Sequence, residues 1–506
     1  MNSKDAIKKD FLVKKDSNLL PPPFHLFSIY DHYFLFDTTG GLFYQIEKIA
    51  YRFLELALDN PINVAKSIMI REGEYTFRQI NEVYKNISLM EKNGLFDCPN
   101  FYTKDSQNDL IAEKIGQSEW TSIQLVLTNQ CNLACKYCYC SRTNDFPLKK
   151  EIMSQETLRK SIELLFKKSG TAPKLNIVFF GGEPLLQKAL IIYGVKYGNQ
   201  LAKQYGKEIT FSMTTNGVLV DDEIIKVIKD NKFAVMVSLD GDEEKHNSQC
   251  PTHCGEGSYS QAVQGLKKLL ENGCHTEIRC TMTHPMGELK KLLESFYSFN
   301  CQFLKRIVIE PAYNPIENPS SYDFQAEDYK TLIEQERKLL PWMLSTMRGK
   351  ESPKYIPYSP TLAAMSSHPF TTTRLCNCEA GYSSIGIDPS GNIFPCVRFG
   401  GMSQWVLGHI SSAEEISNKV KEFWKKYRHT IIDKCGSCWA FAICNGPCAW
   451  DIVQSNGCFL MTDRHCKRRI SQIENSAYIF ATQKNFAEQV IREYNKDLEN
   501  QPEIHC

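Results

Sequence analysis

The period of the apolar positions changes twice along the chain. From His25 to Ile46 they fall into short runs, "HLFSIYD", "YFLFDTTG" and "GLFYQI", interrupted at Thr38, Thr39, Gly40 and Gly41, and this reads as strands joined by a turn. Helical spacing follows in "EKIAYRFLELAL", "NVAKSIMI" and "FRQINEVYKNISLMEKNG". Strands followed by three helices predict a compact α+β unit over residues 24–97, behind a polar, disordered stretch 1–23 and ahead of a linker over 98–120.

From residue 121 the pattern becomes an alternation. Strand-like runs "SIQLVLT", "LNIVFFG", "EITFSMT", "FAVMVSLD", "TEIRCTMT" and "LKRIVIE" begin at 122, 175, 208, 233, 276 and 304, with helical stretches such as 154–170 and 258–273 between them. Such β–α repetition predicts parallel strands with right-handed crossovers over 121–312, in a doubly wound sheet or a full or partial barrel. In a barrel the chemistry sits at the C-terminal ends of the strands. Residues 313–370 read as a bridging region with one helix around "AEDYKTLIEQERKLLPWML". Residues 371–470 are cysteine-dense with little periodicity, and 471–506 hold a last helix and a tail.

Composition changes this picture in one respect. With 506 residues, 42% hydrophobic and 23% charged, and a formal net charge of +1, the chain reads as a multidomain globular protein with no bulk attraction to nucleic acid or membrane. No apolar run reaches the roughly 18 residues of a membrane span, and the lysine-containing N-terminus lacks the apolar segment of a secretory signal. Against that background, 20 cysteines without a secretory signal point to metal binding in a cytoplasmic protein rather than to disulfides.

The cysteines fall into two groups. "TNQCNLACKYCYCS" carries Cys131-x3-Cys135-x2-Cys138, with Cys140 two residues on. Three thiolates on an iron–sulfur cube leave one iron open, whereas a structural zinc site closes with four ligands and an electron-transfer cluster uses four thiolates. Spacing alone leaves open a zinc site that includes Cys140, or reduced thiols. The second group is Cys435-x2-Cys438-x5-Cys444-x3-Cys448, flanked by Cys376, Cys378 and Cys396 upstream and by Cys458 and Cys466 downstream. Eight of these thiolates suffice for two four-ligand sites, zinc or iron–sulfur.

Taken with "GGEP" at 181–184, "TTNG" at 214–217 and "SLDG" at 238–241, the first group resembles the radical S-adenosylmethionine (SAM) enzymes, whose motif is Cys-x3-Cys-x-aromatic-Cys, Tyr137 being the aromatic residue. Residues 376–466 look like the SPASM extension. The resemblance covers roughly 120–470. It implies a partial (β/α)6 TIM-like barrel of the α/β class, a C-terminal cysteine-rich iron–sulfur domain, SAM as cofactor, and three [4Fe–4S] clusters.

Carried over residue by residue, the resemblance makes Cys131, Cys135 and Cys138 ligands of the SAM cluster. Tyr137 would lie beside the adenine. Gly181, Gly182 and Glu183 would meet the SAM ammonium, and Ser212, Asn216, Ser238 and Asp240 the ribose and carboxylate side. Arg279 would pair with the SAM carboxylate. One auxiliary cluster would take Cys378, Cys396 and Cys448 with Cys376. The other would take Cys435, Cys438, Cys444 and Cys466, with Cys458 left out. Cys250 and Cys254, in the loop after "SLDG", read as free thiols or as groups along a substrate path, and Cys274, Cys280 and Cys301 as small buried hydrophobes.

The unit at 24–97 resembles the winged-helix-like RiPP recognition element, which binds the leader of a ribosomally made precursor peptide, physically by adding a strand to an open sheet edge. The implied activity is radical cross-linking of a peptide. A thioether is favoured, a carbon–carbon link comes next, and electrons come from a flavodoxin or ferredoxin. The alternative is a sulfatase-maturating enzyme that oxidises Cys or Ser to formylglycine. Those enzymes carry an Asp just after the cysteine matching Cys396, where this chain has Val397 and Arg398.

Overall fold

The computed structural model describes residues 24–38, 42–94, 104–116, 118–138, 151–231, 233–299, 301–313, 321–347, 379–412, 416–454, 456–461, 463–485, 487–488 and 491–492. Residues 1–23, most of the bridge after Met347, and Cys98, Cys140, Cys376, Cys378 and Cys506 lie outside them.

The first strands, β1 (Phe24–Ile29), β2 (His32–Asp37) and β3 (Leu42–Ile46), form an antiparallel meander in the order β1-β2-β3. Because side chains alternate across a strand, the meander has two different faces. Phe24, Leu26, Leu35, Tyr44 and Ile46 meet the helices α1 (Lys48–Asp59), α2 (Ile62–Glu72) and α3 (Phe77–Lys92) through Ile49, Phe53, Met69 and Ile80. α3 opens on a capping box in which Thr76 and Gln79 satisfy each other's backbone N–H groups. Phe27, Ile29, Phe34, Phe36 and Phe43 point the other way, onto Ala440, Ile443, Ile473 and Ala477 of the C-terminal part.

Each of the six apolar runs between 122 and 310 forms a strand: β4 (Ser122–Val126), β5 (Lys174–Phe180), β6 (Glu208–Thr215), β7 (Ala234–Ser238), β8 (His275–Met282) and β9 (Leu304–Pro311). They pair in chain order, all parallel, and the sheet ends at β9 without closing. On the other side β10 (Ser384–Ile387) pairs parallel with β4, and β11 (Asn392–Phe394) and β12 (Gly408–His409) follow antiparallel. The result is one mixed nine-stranded sheet shared by the barrel and the cysteine-rich segment.

Helices cover one face of the parallel strands. Ile123, Leu125, Ile177, Phe179, Phe211, Val235 and Ile278 pack there with Leu158, Ile162, Ile191, Ile224 and Leu266. Ser154, Asp221 and Asp242 cap the helices that follow three of the loops, each accepting from a first-turn N–H. On the opposite face the register sets Gln124, Val178, Ser212 and Ala234 in one row and Thr214, Met236, Glu277 and Arg306 in another. This inner face is therefore half polar, unlike the continuous apolar run of a parallel strand buried on both sides.

The stretch 98–120, expected as a linker, contains the helix Lys104–Gly116. Its buried Gln107 accepts from Arg428 Nε at 2.8 Å, and Asn108 meets His429 at 2.9 Å. The last long helix begins at Asp463, ahead of the predicted stretch, and its Ile473 and Ala477 are the seat of the N-terminal meander.

Candidate functional site

The loop that leaves β4 carries the first cysteine group over the C-terminal end of the parallel sheet. It runs so close to the end of β5 that only glycine fits there. A Cβ on Gly181 would stand 2.4 Å from Thr128 O, and one on Gly182 would stand 2.2 Å from Gln130 O. The contact is fastened by Gly182 N–H to Thr128 O (2.8 Å) and Glu183 N–H to Gln130 O (2.9 Å). The two glycines thus bring β5 against the cysteine loop itself.

Glu183 is fully buried and ties β5 to β6. Its Oε1 accepts from Leu185 N–H (3.0 Å) and the Thr215 hydroxyl (2.8 Å), and its Oε2 accepts from Asn216 N–H (2.8 Å). Burial pushes this carboxyl up to about 7, against the pull of those donors. Asn216 then reaches the cysteine loop: its Nδ2 donates to Asn132 Oδ1 at 2.8 Å and lies 3.8 Å from Cys131 Sγ. Thr215 and Asn132 belong to this junction although spacing did not single them out; the "TTNG" segment and the "CN" dipeptide were their only signal.

The end of β7 and the loop after it close the opposite side. The Tyr137 hydroxyl donates to Asp240 Oδ2, and Asp240 Oδ1 accepts from Thr281 N–H at 2.8 Å. Cys250 Sγ lies 3.4 Å from both the Tyr137 hydroxyl and Asp240 Oδ2, and the Cys135 thiol is the strongest influence on its ionisation, holding it, with burial, well above the ordinary thiol range. Both Asp240 oxygens are therefore engaged by the protein. Asp240 N–H donates to His246 Nδ1 at 3.1 Å, and burial lowers the His246 pKa, which favours the neutral ring.

The loop Gln249–Gly255 also grips the cysteine loop through its backbone. Ala134 N–H donates to Pro251 O (2.8 Å), Lys136 N–H to Gln249 O (2.9 Å), and Leu133 bridges Thr252. His253 Nε2 meets Cys131 O at 2.9 Å, while Cys254 is exposed.

The remaining expected contacts lie along the strands. Ser238 and Arg279 are register partners on β7 and β8 at the C-terminal end. Ser212 sits deeper, fully buried, with its Oγ 3.5 Å from Asn176 Nδ2. Cys274 and Cys280 are buried and Cys301 is half-buried, outside this junction.

In the C-terminal part, Cys435, Cys438, Cys444 and Cys466 lie near enough to act on one another electrostatically. Burial raises the Cys435 thiol, and Cys444, Cys466 and Cys438 raise it further; burial likewise pushes Cys466 up to about 11. Cys458 is exposed on a separate turn. The segments bearing Cys396 and Cys448 lie side by side: Phe399 packs edge-on to Trp450 at 5.5 Å, and Arg398 Nη1 is 3.5 Å from Asp451 Oδ1. Phe399, Trp405, Phe423, Trp424 and Phe459 build an edge-to-face aromatic core beneath them.

The donor chemistry fits iron–sulfur ligation. Burial pushes the Cys131 thiol up to about 12, and negative charge on Glu183, Cys135 and Cys138 adds to this. Thiols that hard to ionise become thiolates when a cationic centre compensates them. Among the described residues no group of three or more His, Cys, Asp or Glu side chains is arranged to hold a metal ion. Also among the described residues, no helix is long and apolar enough to cross a membrane.

Comparison with known proteins places this geometry. Residues 125–294 match the radical SAM superfamily, and residues 376–439 match the SPASM iron–sulfur cluster-binding domain. The chain is 25% identical over 334 residues to the cysteine-type anaerobic sulfatase-maturating enzyme of Clostridium perfringens (strain 13 / Type A), which covers 63% of this chain and 85% of that one. It is 24% identical over 428 residues to the radical SAM cyclopropyl synthase TigE of Paramaledivibacter caminithermalis, covering 76% and 83%. In fold it resembles the solved native anSMEcpe with bound AdoMet, at a TM-score of 0.60, 21% identity, and coverage of 73% of this chain and 99% of that one. The three-cysteine loop over an open parallel sheet, continued by the cysteine-rich hairpin, is thus a radical SAM domain followed by a SPASM domain, an enzyme architecture that implies SAM and [4Fe–4S] clusters.

Proposed function

We propose that the protein is a peptide maturase. In this reading it binds a ribosomally made precursor through residues 24–97 and installs an intramolecular cross-link in it, a thioether first and a carbon–carbon bond second. The observation that carries the reading is the seat of the N-terminal meander: one face packs on the segment holding Cys438 and Cys444, and the other packs on its own three helices. A recognition unit built into the wall of the catalytic body suits a substrate held at two places, with an added strand along the meander's edge as the physical mode.

Cys131, Cys135 and Cys138 would hold the SAM-binding cluster, with Glu183, Asn216, Ser238 and Arg279 around the cofactor. Cys435, Cys438, Cys444 and Cys466 would hold one auxiliary cluster, and Cys396 and Cys448, with Cys376 and Cys378, the other. With these groups bound, the site supplies a 5′-deoxyadenosyl radical able to take hydrogen from an unactivated C–H bond. The residues of this chain hold the cluster loop rigid between β5, β6 and the 249–255 loop, and the sheet keeps water from its buried end. A flavodoxin or ferredoxin would deliver the electron, in the cytoplasm.

The test is anaerobic incubation with a candidate precursor encoded beside this gene. The expected product is a peptide lighter by a pair of hydrogens, formed together with deoxyadenosine. Deoxyadenosine with unchanged peptide mass rejects cross-linking.

Formylglycine formation is the second reading, favoured by likeness to the Clostridium perfringens maturase. Here Val397 and Arg398 follow Cys396, and the nearby carboxylate is that of Asp451, paired with Arg398. A sulfatase-derived peptide that gains a hydrazine-reactive aldehyde decides for it.

A further inference from the structure

Arg428 has no exposed surface, a rare state for a guanidinium. It stands seven residues before Cys435 on the helix Ile416–Cys435, on the same buried side. Gln107 Oε1 accepts from its Nε at 2.8 Å and from its Nη2. Asn445 accepts from its Nη1 through Oδ1 at 2.9 Å and through its carbonyl at 3.4 Å. These are amide oxygens, which take up the hydrogens without cancelling the charge. The guanidinium also lies over the Phe441 ring, 5.3 Å from its centroid.

These contacts place the cation against the second cysteine group. Phe441 stands between Cys438 and Cys444, and Asn445 directly follows Cys444. The turn after Cys444 is seated on the same helix. The Tyr427 hydroxyl donates to Pro447 O, and a Cβ on Gly446 would stand 2.8 Å from Ile431 Cδ1. One buried positive charge is thus fastened both to the helix that ends on Cys435 and to the turn that leaves Cys444. Burying a charge is costly unless its surroundings compensate it.

We propose that Arg428 is the charge-balancing residue of the cluster held by Cys435, Cys438, Cys444 and Cys466, and that its guanidinium raises the reduction potential there. The proposal rests on the reading of these four thiols as cluster ligands. Net charge is among the factors that set iron–sulfur potentials. Four thiolates leave the cube anionic, and reduction adds one more negative charge. A fixed cation beside it therefore stabilises the reduced state more than the oxidised one. Arginine suits the place because it keeps its proton whether or not the metal is bound. Gln107, from the stretch that reads as a linker in sequence, aims it.

The experiment uses the full-length, iron-loaded chain with Cys131, Cys135 and Cys138 all changed to alanine, so that the C-terminal clusters alone report. Arg428→Gln and Arg428→Lys are made in that background. Each is compared with the parent by iron and sulfide content and by anaerobic potentiometric titration followed by EPR. Cys435→Ala identifies the signal that belongs to this cluster, because it should remove it. The expected result is full iron content in both Arg428 variants. In Arg428→Gln the equilibrium constant for one-electron reduction of that signal should fall tenfold, about 59 mV. Arg428→Lys, which keeps a cation, stays within a few-fold of the parent.

An unchanged potential in Arg428→Gln overturns the proposal. An equal fall in Arg428→Lys overturns it too, since the hydrogen-bonded fork and not the charge would then be responsible. Loss of iron in Arg428→Gln does the same and makes Arg428 a packing residue of the turn. If Cys435→Ala removes no signal, the ligand assignment itself fails, and the role of Arg428 falls with it.

Discussion

His25 lies flat against Trp439, with ring centroids 3.8 Å apart and planes within 9°. A residue of the first strand thus covers the loop between Cys438 and Cys444. Around this pair Phe36 meets Trp439 edge-on at 5.4 Å, and Glu474 lies 3.4 Å from His25 Nε2 and 2.6 Å from Arg337 Nη2. The N-terminal unit is part of the wall of the second cysteine group.

Phe36→Ala is therefore expected to act at a distance in sequence. Phe36 has no exposed surface, and emptying such a site costs about 3–5 kcal/mol. Denaturant titration should show that loss. Iron quantitation should show depletion at the C-terminal thiols while the SAM-responsive EPR signal persists. Equal loss of both would mean general unfolding instead.

Glu183 predicts a pH dependence. Its folded-state pKa, about 7, lies above its unfolded value near 4.5. The folded state holds the proton more tightly, so the group's contribution is fully present below about pH 4.5 and is lost as pH rises through about 7. The span corresponds to about 3 kcal/mol. Chemical denaturation of the iron-free protein at pH 5 and pH 8 should reveal this slope, and Glu183→Gln should flatten it. An equal slope in the variant would assign the dependence to other groups.

Gly182→Ala should fail at the cysteine loop rather than in the sheet. The added methyl meets Gln130 O at 2.2 Å, and such overpacking costs about 1–3 kcal/mol. The variant is expected to fold but to reconstitute less iron at the first group, read as a weaker SAM-responsive signal. Full reconstitution would show that the loop moves aside freely.

Paired cysteine variants sort the ligands. Cys466→Ala should lose iron while exposed Cys458→Ala keeps it, and Cys138→Ala should abolish SAM cleavage while Cys140→Ala retains it. Equal loss of SAM cleavage in Cys138→Ala and Cys140→Ala would return Cys140 to the ligand set.

The six parallel strands were legible because each is a short apolar run followed by a helical stretch. The loops at their ends were legible because glycine, cysteine and amide residues stand where backbones meet. Cys250 stood out as a loop thiol, but its setting was not legible: its partner Tyr137 lies 113 residues away, and nothing local shows that the loop folds back onto Ala134 and Lys136. The helix Lys104–Gly116 was hidden for a related reason. Its buried side includes Gln107, a polar residue whose partner Arg428 is 321 positions along the chain. The double-faced meander was half legible. Its alternation is plain, but the second apolar face gave no hint that residues 440–477 would cover it.

That cover has a consequence for the order of synthesis. Phe27, Phe34 and Phe36 leave the ribosome early, and the surface that shelters them is complete only once Ile473 and Ala477 have been made. Through most of translation the unit has one buried face and one bare one, an aromatic surface that invites chaperones or aggregation. The thiols behind Trp439 stay reachable over the same interval. On the proposed ligand assignment, metal loading at that site belongs before the meander docks, so production in iron-starved cells should yield protein with a loose N-terminal unit, which limited proteolysis would detect.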